Sequence, residues 1–357
     1  MSPTETSTQV VIVGAGQAGL AVAYYLRRFE LQPGVDFIVY DRGPGTGGAW
    51  QLRWDALRLG SAHHVSDLPG MAELGISFER ADRTLPAKDI VAGYYRRYEE
   101  HFGLNVQRPV AVRTVFNRGA DLVVGHDRGE TVTRILVNAT GTWGAPFVPY
   151  LPGSNTFSGR HVHTSGYHSA EEFAGQRVVV VGGGTSAVGF LMELEGVASA
   201  LTWATRRPVD FRNESERTIE GGVAAVSMQD AAARTGEALP SIVSGTGVPR
   251  TRRIVAAINR GVLVERPMFA GVEPDGVRWP DGSFSAADAI IWATGFRPEL
   301  RHLAALKLRE KSGGLTVEQG AAWLDPRIFL AGYGPTASTI GANRAGRVIA
   351  RQIMGRL

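Results

Sequence analysis

Two stretches of the chain repeat one pattern of apolar and polar positions. In the first, the apolar run Gln9–Val13 breaks at glycines and resumes with helical spacing through "QAGLAVAYYLRR". In the second, Val178–Val181 breaks at Gly182 and Gly184 and resumes through "TSAVGFLMELEG". Short, unbroken β-branched runs suit parallel strands that are buried on both faces. Each helix leads into another apolar strand, "DFIVYDR" or "ALTWATRR". Asp89–Phe102 has helical spacing and ends at Gly103, with Tyr94, Tyr95 and Tyr98 expected to be partly buried. A string of short β-like segments follows from Val110 to Val137. Two apolar strands then close in Ala-Thr-Gly, at Ala139–Gly141 and Ala293–Gly295. Their small residues suit chain crossings between domains. The tail reads as a strand, a glycine turn at Gly332–Gly334 and a closing helix. The predicted fold is α/β, with two Rossmann-like dinucleotide-binding domains. Residues 1–153 and 297–357 form the first, and 154–296 form a second inserted into it.

The glycines say what the two units hold. Gly14, Gly16 and Gly19 match G-x-G-x-x-G. The first permits a tight turn, the second lets backbone approach a pyrophosphate, and the third lets helix and strand pack closely. The helix N-terminus offers free amides and a positive dipole end. Asp41 ends the next strand, about 20 residues on, where a carboxylate can bind an adenosine ribose. In "GPGTGGAW", Gly45, Gly47 and Gly48 let backbone pass close to a large flat ligand, and Trp50 can wall it. In the second unit Gly182 and Gly184 supply the turn and the phosphate approach, and Ala187 takes the small third position. Arg206 and Arg207 replace the acid, which favours a ribose bearing a 2′-phosphate and so NADPH. Two dinucleotide sites of opposite electrostatic character imply one bound flavin dinucleotide and one exchanging nicotinamide dinucleotide.

Composition narrows the field. The 357 residues contain no cysteine, which excludes disulfide scaffolds, thiolate metal sites and a cysteine redox relay. The net charge of +4 comes without a basic block or a recognisable nucleic-acid motif. "MSPTETSTQ" lacks a basic leader, and glycines interrupt the apolar run Val10–Leu26, so a cytoplasmic protein without a membrane span is expected.

These residues resemble the flavin-containing monooxygenases, the single-component group using FAD and NADPH, and a short bacterial type similar to flavoproteins encoded beside arsenic-resistance genes. The likeness covers most of the chain. It rests on "GAGQAG", "GGAW", "GGGTSA", the two Ala-Thr-Gly segments and the fingerprint F-x-G-x-x-x-H-x-x-x-(F/Y), which Phe157, Gly159, His163 and Tyr167 match at every position. The related Baeyer–Villiger enzymes end that motif in tryptophan, so Tyr167 leans toward nitrogen or sulfur oxidation.

The resemblance implies that NADPH reduces FAD and that the reduced flavin captures O2 as a hydroperoxide, from which one oxygen atom passes to a small substrate. It places FAD at Gly14, Gly16, Gln17, Ala18, Gly19, Asp41, Arg42, Gly48, Ala49, Trp50, Val110, Ala139, Thr140, Gly141, Tyr333 and Ile340. It places NADPH at Gly182, Gly184, Thr185, Ser186, Ala187, Arg206, Arg207, Ala293, Thr294 and Gly295. It gives His163 an ordering role rather than proton chemistry. Many family members carry an asparagine near the reactive face. "LRLGSAHHVSDLPGM" has none, and offers Ser61, His63 and His64 as catalytic candidates instead. His161, His163 and His168 lack a carboxylate at ligand spacing, so no metal is expected. Residues 209–249 are expected to cover part of the flavin, with Phe211, Arg212 and Met228 as candidate contacts. Two other functions stay open: a reductase passing electrons from NADPH through FAD to a protein or quinone, and a redox-sensing dinucleotide-binding protein. Dimerisation is also left open.

Overall fold

The strand Glu5–Val13 lies between two parallel neighbours, Phe37–Tyr40 and Gly129–Asn138, in a computed structural model that describes residues 5–62, 65–212, 219–239, 247–337 and 339–357. Val10–Val13 are buried on both faces, as a central parallel strand requires. Gly129–Asn138 serves two partners in succession. Its first half pairs with the antiparallel strand Asp121–His126, and its second half with the parallel strand Ile328–Leu330. Val112–Arg118 completes an antiparallel meander on Asp121–His126. The region expected as a string of short segments is therefore two hairpin strands and one ten-residue strand.

The helix Gln17–Arg28 follows the first glycine turn and packs against the helix Thr339–Met354. A Cβ at Gly346 would stand 2.8 Å from the Ala21 Cβ, so glycine permits that close approach. The expected tyrosine helix spans Ala87–His101, with Tyr95 and Tyr98 buried in the same apolar cluster. These elements belong to a compact unit of Met1–Gly144, Val226–Pro240 and Pro298–Leu357.

The second unit comprises Ala145–Ala225 and Ser241–Arg297. Its five-stranded sheet is parallel throughout and runs in the order Glu265–Pro267, Ala200–Thr205, Arg177–Val181, Ala289–Trp292 and Arg160–His163. The helix Thr185–Leu194 follows Arg177–Val181 after the second glycine turn. A three-stranded antiparallel meander, Gly271–Ala286, is appended.

The units part at Gly144/Ala145 and Arg297/Pro298, where the sequence reading set its boundaries at 153/154 and 296/297. Backbone pairing explains where Ala145 belongs. Phe147 N–H donates to Gly295 O at 3.0 Å and Arg297 N–H donates to Ala145 O at 2.8 Å. Val226–Pro240 groups with the first unit, through Ala233 in the cluster that holds Tyr333.

Candidate functional site

The three glycines of the first loop face different neighbours. Gly14 has φ +104°, and a Cβ there would lie 2.5 Å from Ala139 O. A Cβ at Gly19 would lie 1.9 Å from Gly14 O, so helix and turn touch with no room for a side chain. Gly16 differs: its φ is −83°, and the nearest atom to a Cβ is Gly48 Cα at 3.9 Å. Neither strain nor packing requires glycine at that position. Its missing side chain leaves space in front of the helix N-terminus, where no side chain caps the amides and no acid occupies the first turn.

That space opens into a cleft of about 660 Å³, within the usual range for ligand sites. Its walls come from Gly14, Gly16, Asp41, Trp50, Trp143 and Ala331, among others. Asp41 is buried, and its oxygens accept Ala15 N–H and Gly43 N–H, both at 2.7 Å. Behind it, Arg108 grips Glu99 through two bonds of 2.6 and 2.7 Å and brings its Nε within 3.9 Å of Asp41 Oδ1. Burial raises the Glu99 pKa, and Arg108 opposes that shift. Thr140 donates to Glu299 O at 2.7 Å, and Gly141 O accepts Glu299 N–H at 3.0 Å.

Several wall residues escaped the sequence reading, Arg53 and His302 among them. Arg53 lies over the Trp143 ring at 4.2 Å and the Trp50 ring at 5.6 Å, and its buried Nε has no hydrogen-bond partner among the described residues. Desolvation pulls its pKa down to about 10, so it remains cationic at neutral pH. A basic residue between tryptophans in "WQLRW" was the available signal. His302 is buried, with its Nε2 at 2.8 Å from Asn138 Oδ1. Burial lowers its pKa to about 4, leaving a neutral ring. Nothing local in "ELRHLAAL" announces that position.

The second loop is built on the same plan and is more open. Gly182 has φ +140°, with Ala293 O 2.3 Å from a would-be Cβ, and Ala187 is fully buried. Gly183, Thr185, Arg206 and Arg207 are exposed, whereas no residue from Gly14 to Gly19 is. Gly184 caps the helix Thr185–Leu194 in extended conformation, and Ser186 lies in its first turn. Thr294 donates to Phe147 O, and Gly295 takes φ +81°.

The fingerprint residues lie inside the second unit. A Cβ at Gly159 would meet Asp288 O at 2.4 Å. Phe157 packs against His161. Tyr167 stacks on Phe173 and Phe190 and donates to Glu193 at 3.0 Å. His163 Nδ1 accepts Ser165 N–H at 3.2 Å, so its Nε2 carries the proton it shares with Gly295 O at 3.0 Å. Burial lowers the His163 pKa. It therefore joins the end of one strand to the second Ala-Thr-Gly segment as a neutral donor. His161 is engaged in the same way, by Trp292 Nε1–H at 3.0 Å and Ser154 O at 3.1 Å. Among the described residues no group of three or more His, Asp or Glu side chains is placed to hold a metal ion. Likewise, no helix is long and apolar enough to cross a membrane.

Comparison with known proteins bears on this pair of loops. Residues 11–224 match the family model for pyridine nucleotide-disulphide oxidoreductases. A solved flavin-containing monooxygenase from Stenotrophomonas maltophilia is 32% identical over 98% of this chain and 99% of its own, with a TM-score of 0.81. The chain belongs to the flavin-containing monooxygenase family. It is an oxidoreductase of the FAD- and NADPH-using kind. An uncharacterized oxidoreductase CzcO of Bacillus velezensis is 26% identical over 90% of each chain. The senecionine N-oxygenase of Tyria jacobaeae is 28% identical over 56% of this chain and 47% of its own. The matched model has "disulphide" in its description, but this monooxygenase-family chain has no cysteine with which to exchange one.

Several expected site residues of this flavin-containing monooxygenase sit elsewhere or do other work. Ser61, a catalytic candidate, is exposed in a turn, where its hydroxyl donates to Arg58 O at 3.0 Å, and it does not line the cleft. Short loop spacing favours that local bond. Tyr333 turns into the core, where its oxygen accepts Leu315 N–H at 3.1 Å. Gln17 reaches the cleft, but its side chain is a strut: Nε2 donates to Ser66 O at 2.9 Å and Oε1 accepts from Tyr95 at 2.9 Å. Ala18, Arg42, Gly48, Ala49, Val110, Ala139 and Gly141 line the cleft as expected contacts would. Met228 is exposed, while Phe211 and Arg212 form a short strand paired with Val248–Pro249. His63 and His64 lie outside the described residues, as does the side chain of Ile340.

Proposed function

We propose that this protein binds FAD in the first cleft and NADPH at the second loop, and inserts one oxygen atom from O2 into a small substrate, with nitrogen and sulfur nucleophiles favoured. The observation that carries the reading is the vacant side-chain position at Gly16, a cradle that no described residue fills. Arg53 supports it, as a half-buried cation whose buried Nε lacks a hydrogen-bond partner among the described residues, on the wall of the same cleft. A guanidinium with an unused Nε donor suits an anionic dinucleotide. The donor set therefore fits FAD.

When bound, the two cofactors supply hydride transfer and oxygen activation. The chain's own residues position and shield them. The free amides at the N-terminus of Gln17–Arg28 face the pyrophosphate. Asp41 keeps spare lone pairs on both oxygens for ribose hydroxyls, and Arg108 holds it from behind. Trp50 and Trp143 exclude water from Arg53 and strengthen its charge interactions. Arg206 and Arg207 meet the 2′-phosphate. His163 orders the second Ala-Thr-Gly segment and exchanges no proton. The oxygen chemistry the cofactor would supply needs a dry site, so this packing bears on coupling.

Nitrogen oxidation is favoured by the senecionine N-oxygenase among the relatives and by the tyrosine that closes the fingerprint at Tyr167. The test follows NADPH consumption with tertiary amines, sulfides and ketones under 18O2, with peroxide measured in parallel. One labelled oxygen per NADPH in an amine or sulfide is the expected result. NADPH oxidation that proceeds only with a quinone or protein acceptor, with no label incorporated, would replace this reading with a reductase. Lack of turnover with any acceptor would replace it with a redox sensor.

A further inference from the structure

We propose that Glu265 is a positioning residue for recognition of the coenzyme 2′-phosphate. The inference rests on the assignment of Arg206 and Arg207 made above. Glu265 begins the strand Glu265–Pro267, paired in register with Trp203 of Ala200–Thr205. Its carboxylate closes the loop after that strand from both ends. Oε2 accepts Thr205 Oγ1–H at 3.0 Å, and both oxygens lie 3.1 Å from Val209 N. Between the two anchors are Arg206, Arg207 and Pro208, all exposed. Among the described residues no carboxylate forms an ion pair with either arginine.

The clamped loop is also docked on the second glycine turn. A Cβ at Gly183 would lie 3.3 Å from a Val209 methyl. Trp203 Nε1–H donates to Gly182 O at 2.7 Å, and Gly182 N–H donates to Ala204 O at 3.0 Å. The backbone carrying the arginine pair is thus fixed relative to the turn that takes the coenzyme phosphates. Long arginine side chains lose freedom when they bind, so a backbone fixed beforehand lowers the entropy still to be lost. Glu265 carries a negative charge that alone would repel a phosphate. It acts through the loop, with its oxygens committed to Thr205 and Val209.

The experiment uses the full chain loaded with FAD. Titration calorimetry compares 2′-phospho-ADP-ribose with ADP-ribose as probes, and steady-state kinetics compare NADPH with NADH. Glu265→Ala is expected to weaken 2′-phospho-ADP-ribose about tenfold, the loss of about one charged hydrogen bond, while ADP-ribose changes less than about twofold. KM for NADPH should rise in step, with kcat and the NADH constants retained. Glu265→Gln keeps an acceptor oxygen and should fall between. If Glu265→Ala does not fold, Glu265→Gln and Thr205→Val carry the test. Equal weakening of both probes, or no weakening of either, would overturn the positioning role. If Arg206→Ala or Arg207→Ala lowers the preference and the Glu265 variants do not, only the role of Glu265 fails. If neither arginine variant changes the preference, the 2′-phosphate assignment fails and takes the inference with it.

Discussion

The two glycine loops share a sequence pattern but not surroundings. The first is sunk in a cleft with a buried acid, Asp41, and a cation, Arg53, between two tryptophan rings. The second carries exposed Gly183 and Thr185, and its arginines stand in solvent. Burial around the first suits a cofactor that stays. Exposure around the second suits one that arrives and leaves with each turnover. On the function proposed above, the strand–turn–helix pattern would provide the phosphate cradle in both cases, and the residues beyond it would decide how long the ligand remains.

Filling the glycines should separate packing from ligand binding most strongly. Gly19→Val would drive a side chain into Gly14 O, so about 3 kcal/mol or more of stability should be lost, by overpacking against backbone that cannot yield. Gly16→Ala meets only ordinary contact and should change stability by less than about 1 kcal/mol, while FAD affinity falls at least about tenfold. Urea unfolding and FAD titration on the two variants separate these effects. Equal losses of stability would show that Gly16 is there for packing.

Removing the charge in the first cleft comes next. Arg53→Gln takes away a desolvated cation, so the protein without flavin should be as stable as the parent or more so. FAD affinity should fall about 10- to 100-fold and become less sensitive to salt. Fluorescence titration at two ionic strengths checks both effects. An unchanged FAD affinity would remove Arg53 from the site.

The smallest expected effect is a pH dependence. His302 titrates near 4 when folded and near 6.5 when unfolded. Between those values the unfolded chain binds more protons, so stability rises with pH there, and is lost as pH falls from about 6.5 toward 4. His302 should account for about 2 kcal/mol between pH 7.5 and 5. His302→Gln keeps a donor for Asn138 and should flatten that part of the curve in denaturant melts. An unaltered slope would show that the ring is not held neutral.

Much of this architecture could be read from the sequence because it repeats local rules. Both β–α–β units, the tyrosine helix and the closing helix follow from periodicity and glycine placement. Asp41 was legible as a strand end, and Arg206 with Arg207 as its counterpart. What stayed hidden depended on distant pairing. Gly129–Asn138 takes its neighbours from residues before it and from Ile328–Leu330, which no local pattern links. Val226–Pro240 packs with the first unit because small residues such as Ala233 fit beside Tyr333. Tyr333 itself pointed to the flavin by analogy and turned to Leu315 because a buried hydroxyl needs a partner. The fingerprint was visible as a pattern. The burial of Tyr167, and the ties of His163 to Ser165 and Gly295, were not.

The division of labour along Gly129–Asn138 sets an order of events during synthesis. Ile328–Leu330 seals the open half of that strand, and Ala331, Gly332 and Ala342 complete the wall of the first cleft. A ribosome must therefore translate past residue 342 before the first cleft, the proposed berth of the flavin, has all its walls. Until then, a parallel strand that began to form some 200 codons earlier presents bare amides and carbonyls to whatever is nearby.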